Sequence, residues 1–207
     1  MPRDFTPYIP NNLPPMPVLE TTKPLDIEIG CGVGLHPIKY TQSNQHRQLI
    51  AIEHTRDKFE KFQSRHQNHP HLTNLFPVHA NGISFISKHI RPASVARYFL
   101  LYPNPWPKAC HKNRRWAHMP FMQVLHTTLA PCGELTMATN FGWYMEEALA
   151  EMTKWGFQIA TTTQLRPEDL GSMALNQVYL PRTHFEQKYL ERGQVCFHTV
   201  FRKVSQQ

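Results

Sequence analysis

Short apolar runs recur along the chain from residue 25 onward: Leu25–Ile29, Leu49–Ile52, Leu72–Val78, Val95–Tyr102, Glu134–Ala138, Phe157–Thr162 and Val195–Phe201. Between several of them lie polar stretches with helical spacing, over Arg56–His66, Met119–Leu129 and Gly142–Trp155. Strands alternating with helices across short connections predict an α/β fold: a mostly parallel seven-stranded sheet with helices on both faces. The last two strands fall outside simple alternation. A long loop over residues 164 to 182 precedes a short helix at Phe185–Glu191, and the final strand follows. Nothing repeats, and no linker divides residues 25–207, so they read as one domain. Residues 1–24 hold seven prolines and read as an irregular arm, because proline fixes φ and removes a backbone donor.

Composition changes this picture in one direction. Of 207 residues, 22 are Lys or Arg and 15 Asp or Glu, a formal charge of +7 that fits a polyanionic partner such as nucleic acid or an anionic membrane surface. No apolar run approaches the roughly 20 residues that span a bilayer, and the Pro- and Asn-rich start does not read as a secretory signal. Cys31, Cys110, Cys132 and Cys196 are isolated in sequence, which predicts reduced thiols in a cytoplasmic protein rather than disulfides or zinc ligands. His66, His69, His71 and His79 form a cluster that reads as a solvated surface in preference to a metal site. No metal is expected.

The first strand runs into Glu28-Ile29-Gly30-Cys31-Gly32-Val33-Gly34. Glycines at such a strand-to-helix turn let a ligand approach the backbone closely. The spacing is G-x-G-x-G with an acid two residues ahead, not the dinucleotide G-x-G-x-x-G, and Glu28 would repel a pyrophosphate. A donor with a sulfonium, an ammonium and one carboxylate suits it better; the alternative is a tight turn without ligand. Glu53, at the tip of the second strand and about 20 residues on, is placed to accept from two ribose hydroxyls, or to serve as a charge at a helix N-terminus. Asn81, ending the third strand, is expected to accept from an adenine amino group through its amide oxygen.

Beyond the fourth strand lies Tyr102-Pro103-Asn104-Pro105-Trp106-Pro107-Lys108, stiffened by three prolines and offering a polar group and a stacking face. His111-Lys112-Asn113-Arg114-Arg115-Trp116 follows, a basic run with aromatic neighbours. Guanidinium groups take phosphates and aromatic faces take exposed bases, so this edge is expected to meet RNA, with a solvated helix start as the alternative.

With these motifs, and with Ala138-Thr139-Asn140, Thr183-His184-Phe185-Glu186 and Arg192-Gly193 in the same order, the chain resembles the bacterial tRNA (guanine-N7)-methyltransferase family from Leu25 to Lys203. The resemblance implies a Rossmann-like class I fold dependent on S-adenosylmethionine (SAM). It implies methyl transfer to guanosine N7 in the tRNA variable loop. It places Glu28, Gly30, Gly32, Gly34, Glu53, Asn81 and Asn104 around SAM, with Asn104 at the catalytic position. Lys108, His111, Arg114, Arg115, Asn140, Thr183, Phe185 and Glu186 would face tRNA or other structured RNA. A monomer or homodimer is expected. The chain departs from the family pattern where the family has Asp and this chain has Asn104 and Asn140. An acid is also common at Asn81, two basic positions appear as Cys110 and Asn113, and the arm is shorter and less charged. Asn104-Pro105-Trp106 is also similar to the Asn-Pro-Pro-aromatic loop of methyltransferases acting on exocyclic amino groups. A third reading is a SAM- and RNA-binding protein without turnover.

Overall fold

A computed structural model describes residues 5–170, 173–174, 177–178 and 181–204. The central element is a seven-stranded sheet in the order β3-β2-β1-β4-β5-β9-β6. It comprises β1 (Leu25–Ile29), β2 (Gln48–Glu53), β3 (Leu75–His79), β4 (Val95–Leu101), β5 (Leu129–Thr139), β6 (Phe157–Leu165) and β9 (Cys196–Lys203). The first five pair in parallel, and β9 runs antiparallel between β5 and β6. The departure from alternation read in the sequence is therefore this inserted strand. Every residue of β1 and β2 is buried, as both faces of a parallel sheet require. Of the two acids this buries in β1, Asp26 is held by Arg47 and by Tyr40 Oη at 2.6 Å.

Helices α1 (Leu35–Ser43) and α2 (Arg56–Gln67) cover one face through Ile38 and Phe62. Helices α3 (Gly82–His89), α4 (Phe121–Thr128) and α5 (Gly142–Met152) cover the other through Phe85, Phe121 and Met145. Helix α6 (His184–Glu191) precedes β9. Two boundaries differ from expectation for local reasons. β5 starts at Leu129, five residues before the apolar run, and passes through a bulge in which Cys132 takes φ 58°. β3 starts at Leu75 because Asn74 Nδ2 is turned inward to the carbonyls of Thr41, Asn44 and Arg47. The loop expected over 164–182 begins with the end of β6 and also contains a two-stranded ladder, β7 (Met173–Ala174) with β8 (Gln177–Val178).

Residues 5–24 form no regular element, yet they are docked. Phe5, Leu13, Met16 and Leu19 pack on the core, and Ser84 Oγ and His89 Nε2 bond the carbonyls of Tyr8 and Pro14. No described helix is long and apolar enough to cross a membrane. Among the described residues no group of three or more His, Cys, Asp or Glu could hold a metal ion.

Candidate active site

Strand order reverses between β1 and β4, the place where an open α/β sheet leaves a crevice beyond its carboxyl ends. A crevice of about 460 Å³ opens there, walled by Ile29, Ile52, Ala80, Ile83 and Leu101 and rimmed by Gly30, Gly32, Glu53 and Asn104. A smaller one of about 80 Å³ continues from it between the glycine turn and Thr183–Phe185. The glycines are needed for conformation. Gly34 ends the turn at φ 83°, and a Cβ there would overlap the Phe62 ring.

Glu53 is buried, with one oxygen accepting from Gly32 N at 2.8 Å and the other from Thr55 N at 2.7 Å. A carboxylate offers about four acceptor sites, so two remain for a ligand's hydroxyls. Glu28 is not a bare acid beside the ligand: it is buried and its Oε2 lies 2.6 Å from His36 Nδ1. Asn81 lines the crevice, but its oxygen caps α3, accepting from Ile83 N at 2.9 Å and Ser84 N at 3.2 Å. That oxygen serves a helix N-terminus, which needs an acceptor there. The amide nitrogen is what Asn81 has to offer.

The loop after β4 is strained and tied down. Tyr102 and Trp106, on either side of Pro103-Asn104-Pro105, take φ 53° and 48°, a conformation that costs a residue with a Cβ about 1–2 kcal/mol. Asn104 reaches the crevice while its Oδ1 turns back to Trp106 N at 3.3 Å. Three of the residues expected to meet RNA are engaged by groups of the protein itself. Arg115 is buried; its Nη1 donates to both Glu147 oxygens at 2.9 and 2.8 Å, and its other nitrogens donate to the carbonyls of Trp106, Pro107 and Lys108. Glu186 is 0% exposed and accepts from Tyr102 Oη and His198 Nε2, both at 2.9 Å, and from Arg182 N at 3.0 Å. Thr183 Oγ1 caps α6 by accepting from Glu186 N. In each case a buried polar group had to be matched from inside the fold.

Burial alone would raise the Glu186 carboxyl, but the His198 hydrogen bond and the Arg182 charge outweigh it and hold it well below the usual carboxylate range. Burial likewise lowers His198, partly opposed by Glu186, and pushes the Tyr102 phenol up.

Other expected contacts remain available. Lys108 and Arg114 are exposed, Arg114 lies 4.8 Å above the Trp106 ring, and His111 meets that ring edge-on at 5.3 Å. Phe185 is 37% exposed, lines both crevices, and stacks at 6.1 Å on Tyr189. Asn140 stands outside the crevice lining and donates to Gln194 Oε1 at 3.0 Å. Sequence reasoning does not single out His36, Lys58, Tyr102 or His198. Only for His36, two residues past the glycine turn, is there a local hint.

A crevice of this size, with apolar walls for a purine and a buried acid at the strand tip for a ribose, accommodates SAM. The strand order and the crevice define a class I SAM-dependent methyltransferase. Solved structures with this fold include the 16S rRNA methyltransferase KamB (TM-score 0.63, 16% identity, 88% of this chain and 89% of the other). An antibiotic-related methyltransferase is similar to the same degree (TM-score 0.63, 15% identity, 86% and 87%). The chain belongs to the methyltransferase family Methyltransf_4, whose model matches residues 22–199. Curated relatives named tRNA (guanine-N(7)-)-methyltransferase include one from Cereibacter sphaeroides, 29% identical over 87% of this chain and 70% of the relative. Another, from Nitrosomonas eutropha, is 25% identical over 99% and 88%.

Proposed function

We propose that this methyltransferase transfers the methyl group of SAM to N7 of a guanosine in the tRNA variable loop. The observation that carries this reading is the strained loop Tyr102–Pro107. Its residues Tyr102–Pro105 line the donor crevice at the end of β4, and exposed Lys108 and Arg114 follow it in the chain. The names of the curated relatives support the same substrate.

When bound, SAM supplies an electrophilic methyl carbon on a sulfonium. Guanine N7 carries an unprotonated lone pair, so the chain has to supply no general base. The N7–carbon bond forms as the carbon–sulfur bond breaks, leaving a thioether and a cationic purine. The chain's contribution is placement and exclusion of water. Glu53 holds the ribose hydroxyls, Ile52 and Ile83 wall the purine, and Asn104 with the rigid loop fixes the base. Phe185 offers it a stacking face, and Arg114 with Lys108 holds phosphates. The exocyclic-amine reading needs the Asn104 oxygen to accept from the amino group, and that oxygen is turned to Trp106 N. Nucleoside mass spectrometry on undermodified tRNA after incubation with SAM tests the proposal.

A further inference from the structure

Lys58, in the first turn of α2, lines both the large and the small crevice and makes no hydrogen bond or ion pair among the described residues. Gly30, Gly32, Leu101 and Phe185 are the other residues the two crevices share, so the Lys58 side chain stands at the junction between them. Helix α2 lies along the glycine turn, as the bond from Arg65 Nη1 to Val33 O at 3.3 Å records.

The charges around this junction are unequal. Glu28 lines the small crevice, paired with His36, and Glu53 lines the large one. A donor whose ribose is held by Glu53 must lay its amino-acid tail along Gly30 and Gly32 toward Glu28. The ammonium of that tail meets an acidic wall and is accommodated. The carboxylate meets the same wall and needs a cation. Among the described residues Lys58 is the one lysine or arginine that lines either crevice.

The geometry points to Lys58 as the cation that receives the α-carboxylate of the methyl donor's amino-acid tail, at the junction of the two crevices. This rests on the SAM reading of the site. It assigns Lys58 a role in recognising an amino acid conjugated to a nucleoside, as distinct from a bare nucleoside. An ammonium on a four-carbon stem suits that role, because it reaches a carboxylate from solvent without being buried.

The test is titration calorimetry at low ionic strength on the full chain with two ligands, SAM and its decarboxylated analogue. The analogue keeps the sulfonium and the ammonium and lacks only the carboxylate. The wild-type chain binds SAM more tightly than the analogue. Lys58→Met, which keeps the aliphatic stem, weakens SAM by about five- to tenfold, as for a charge-assisted contact open to solvent, and leaves the analogue unchanged. Lys58→Arg retains SAM affinity, and Lys58→Glu reverses the preference. Unchanged thermal melts of the variants show that folding is not the cause. Equal losses for both ligands, or no loss for either, overturn the assignment of Lys58. A wild-type chain that binds neither ligand overturns the SAM reading itself, and the assignment falls with it.

Discussion

Tyr102 Oη donates to Glu186 Oε2 at 2.9 Å, joining the first residue of the strained loop to helix α6 across 84 residues of chain. The same phenol lies 3.4 Å from His198 Nε2 on β9, so three elements meet on one carboxylate. The contact explains how a residue with a Cβ keeps φ 53° there: its side chain is fixed at the far end.

Removing that anchor releases the loop. Tyr102→Phe is expected to cost about 1–3 kcal/mol of stability, because a buried acceptor loses one donor. Glu186→Gln is expected to cost more, about 3–5 kcal/mol, since it leaves Arg182 without its charge partner and weakens the acceptor that His198 uses. Urea melts measure both. In Tyr102→Phe, SAM affinity stays within about twofold while turnover falls; a loss confined to SAM binding contradicts the anchor role.

The same cluster contributes to how stability depends on pH. The Glu186 carboxyl and the His198 imidazole both have folded values below their ordinary ones, so below those ordinary values the unfolded chain binds protons that the folded chain does not. Stability is then fully present above about pH 6.5 and falls with pH, first through the histidine and then, below about 4.3, through the carboxylate. Denaturant melts from pH 8 to 4 read the slope, at most about 1.4 kcal/mol per pH unit for each extra proton. His198→Asn reduces the upper part of the decline, to which His126, also lowered by burial, contributes the rest; a decline that persists unchanged in that variant assigns it elsewhere.

Arg115 and Glu147 form the second anchor. Burial would raise the Glu147 carboxyl, but the hydrogen bonds from Arg115 and His118 hold it below the usual range. A lysine cannot span a carboxylate and three carbonyls at once, so Arg115→Lys is expected to lower methylation about tenfold or more with SAM affinity intact. Glu147→Gln follows in the same direction with a smaller effect. A direct RNA contact by Arg115 would instead appear as a change in the salt dependence of tRNA binding, which this account does not predict.

Gly34→Ala tests the turn. The left-handed φ and the overlap with Phe62 together predict a loss of about 2–4 kcal/mol, measurable by thermal unfolding, and weaker SAM binding. A neutral result means that α2 moves aside without cost.

Asn104→Asp and Asn140→Asp test base reading. In the Asn104→Asp variant both side-chain oxygens become acceptors, so the carboxylate can take the guanine N1–H on one and the amino group on the other, the one now bonded by Trp106 N using its second lone pair. A good bidentate base contact is worth roughly 1–3 kcal/mol, so guanine methylation is expected to rise about tenfold in kcat/KM. No gain in either single or double variant counts against guanine as the base being read.

Much of the fold was legible because parallel strands buried on both faces leave dense apolar runs such as Leu49–Ile52. The glycine turn and Glu53 were legible for the same kind of reason, since the turn's glycines and the acid at the strand tip follow one another in sequence. What sequence missed was set by distant packing. Helix α3 is short, and its cap, Asn81, looks in sequence like a ligand residue; only the fold shows its oxygen given to Ile83 and Ser84. Arg115 sits in a basic run and reads as one more phosphate contact, yet Glu147 lies opposite on α5 and draws it inside. Glu186 reads as a free acid beside a substrate segment until Tyr102, 84 residues earlier, closes on it. Local pattern gives the type of a side chain, and its partner decides which way it faces.

The most direct test of the account is incubation of the full chain with methyl-labelled SAM and tRNA lacking its variable-loop modification, followed by nucleoside mass spectrometry. Label is expected in 7-methylguanosine at a single tRNA position, abolished by Glu53→Ala. Label in an N6- or N2-methylated nucleoside, or SAM bound with no label transferred to any tRNA, would contradict it.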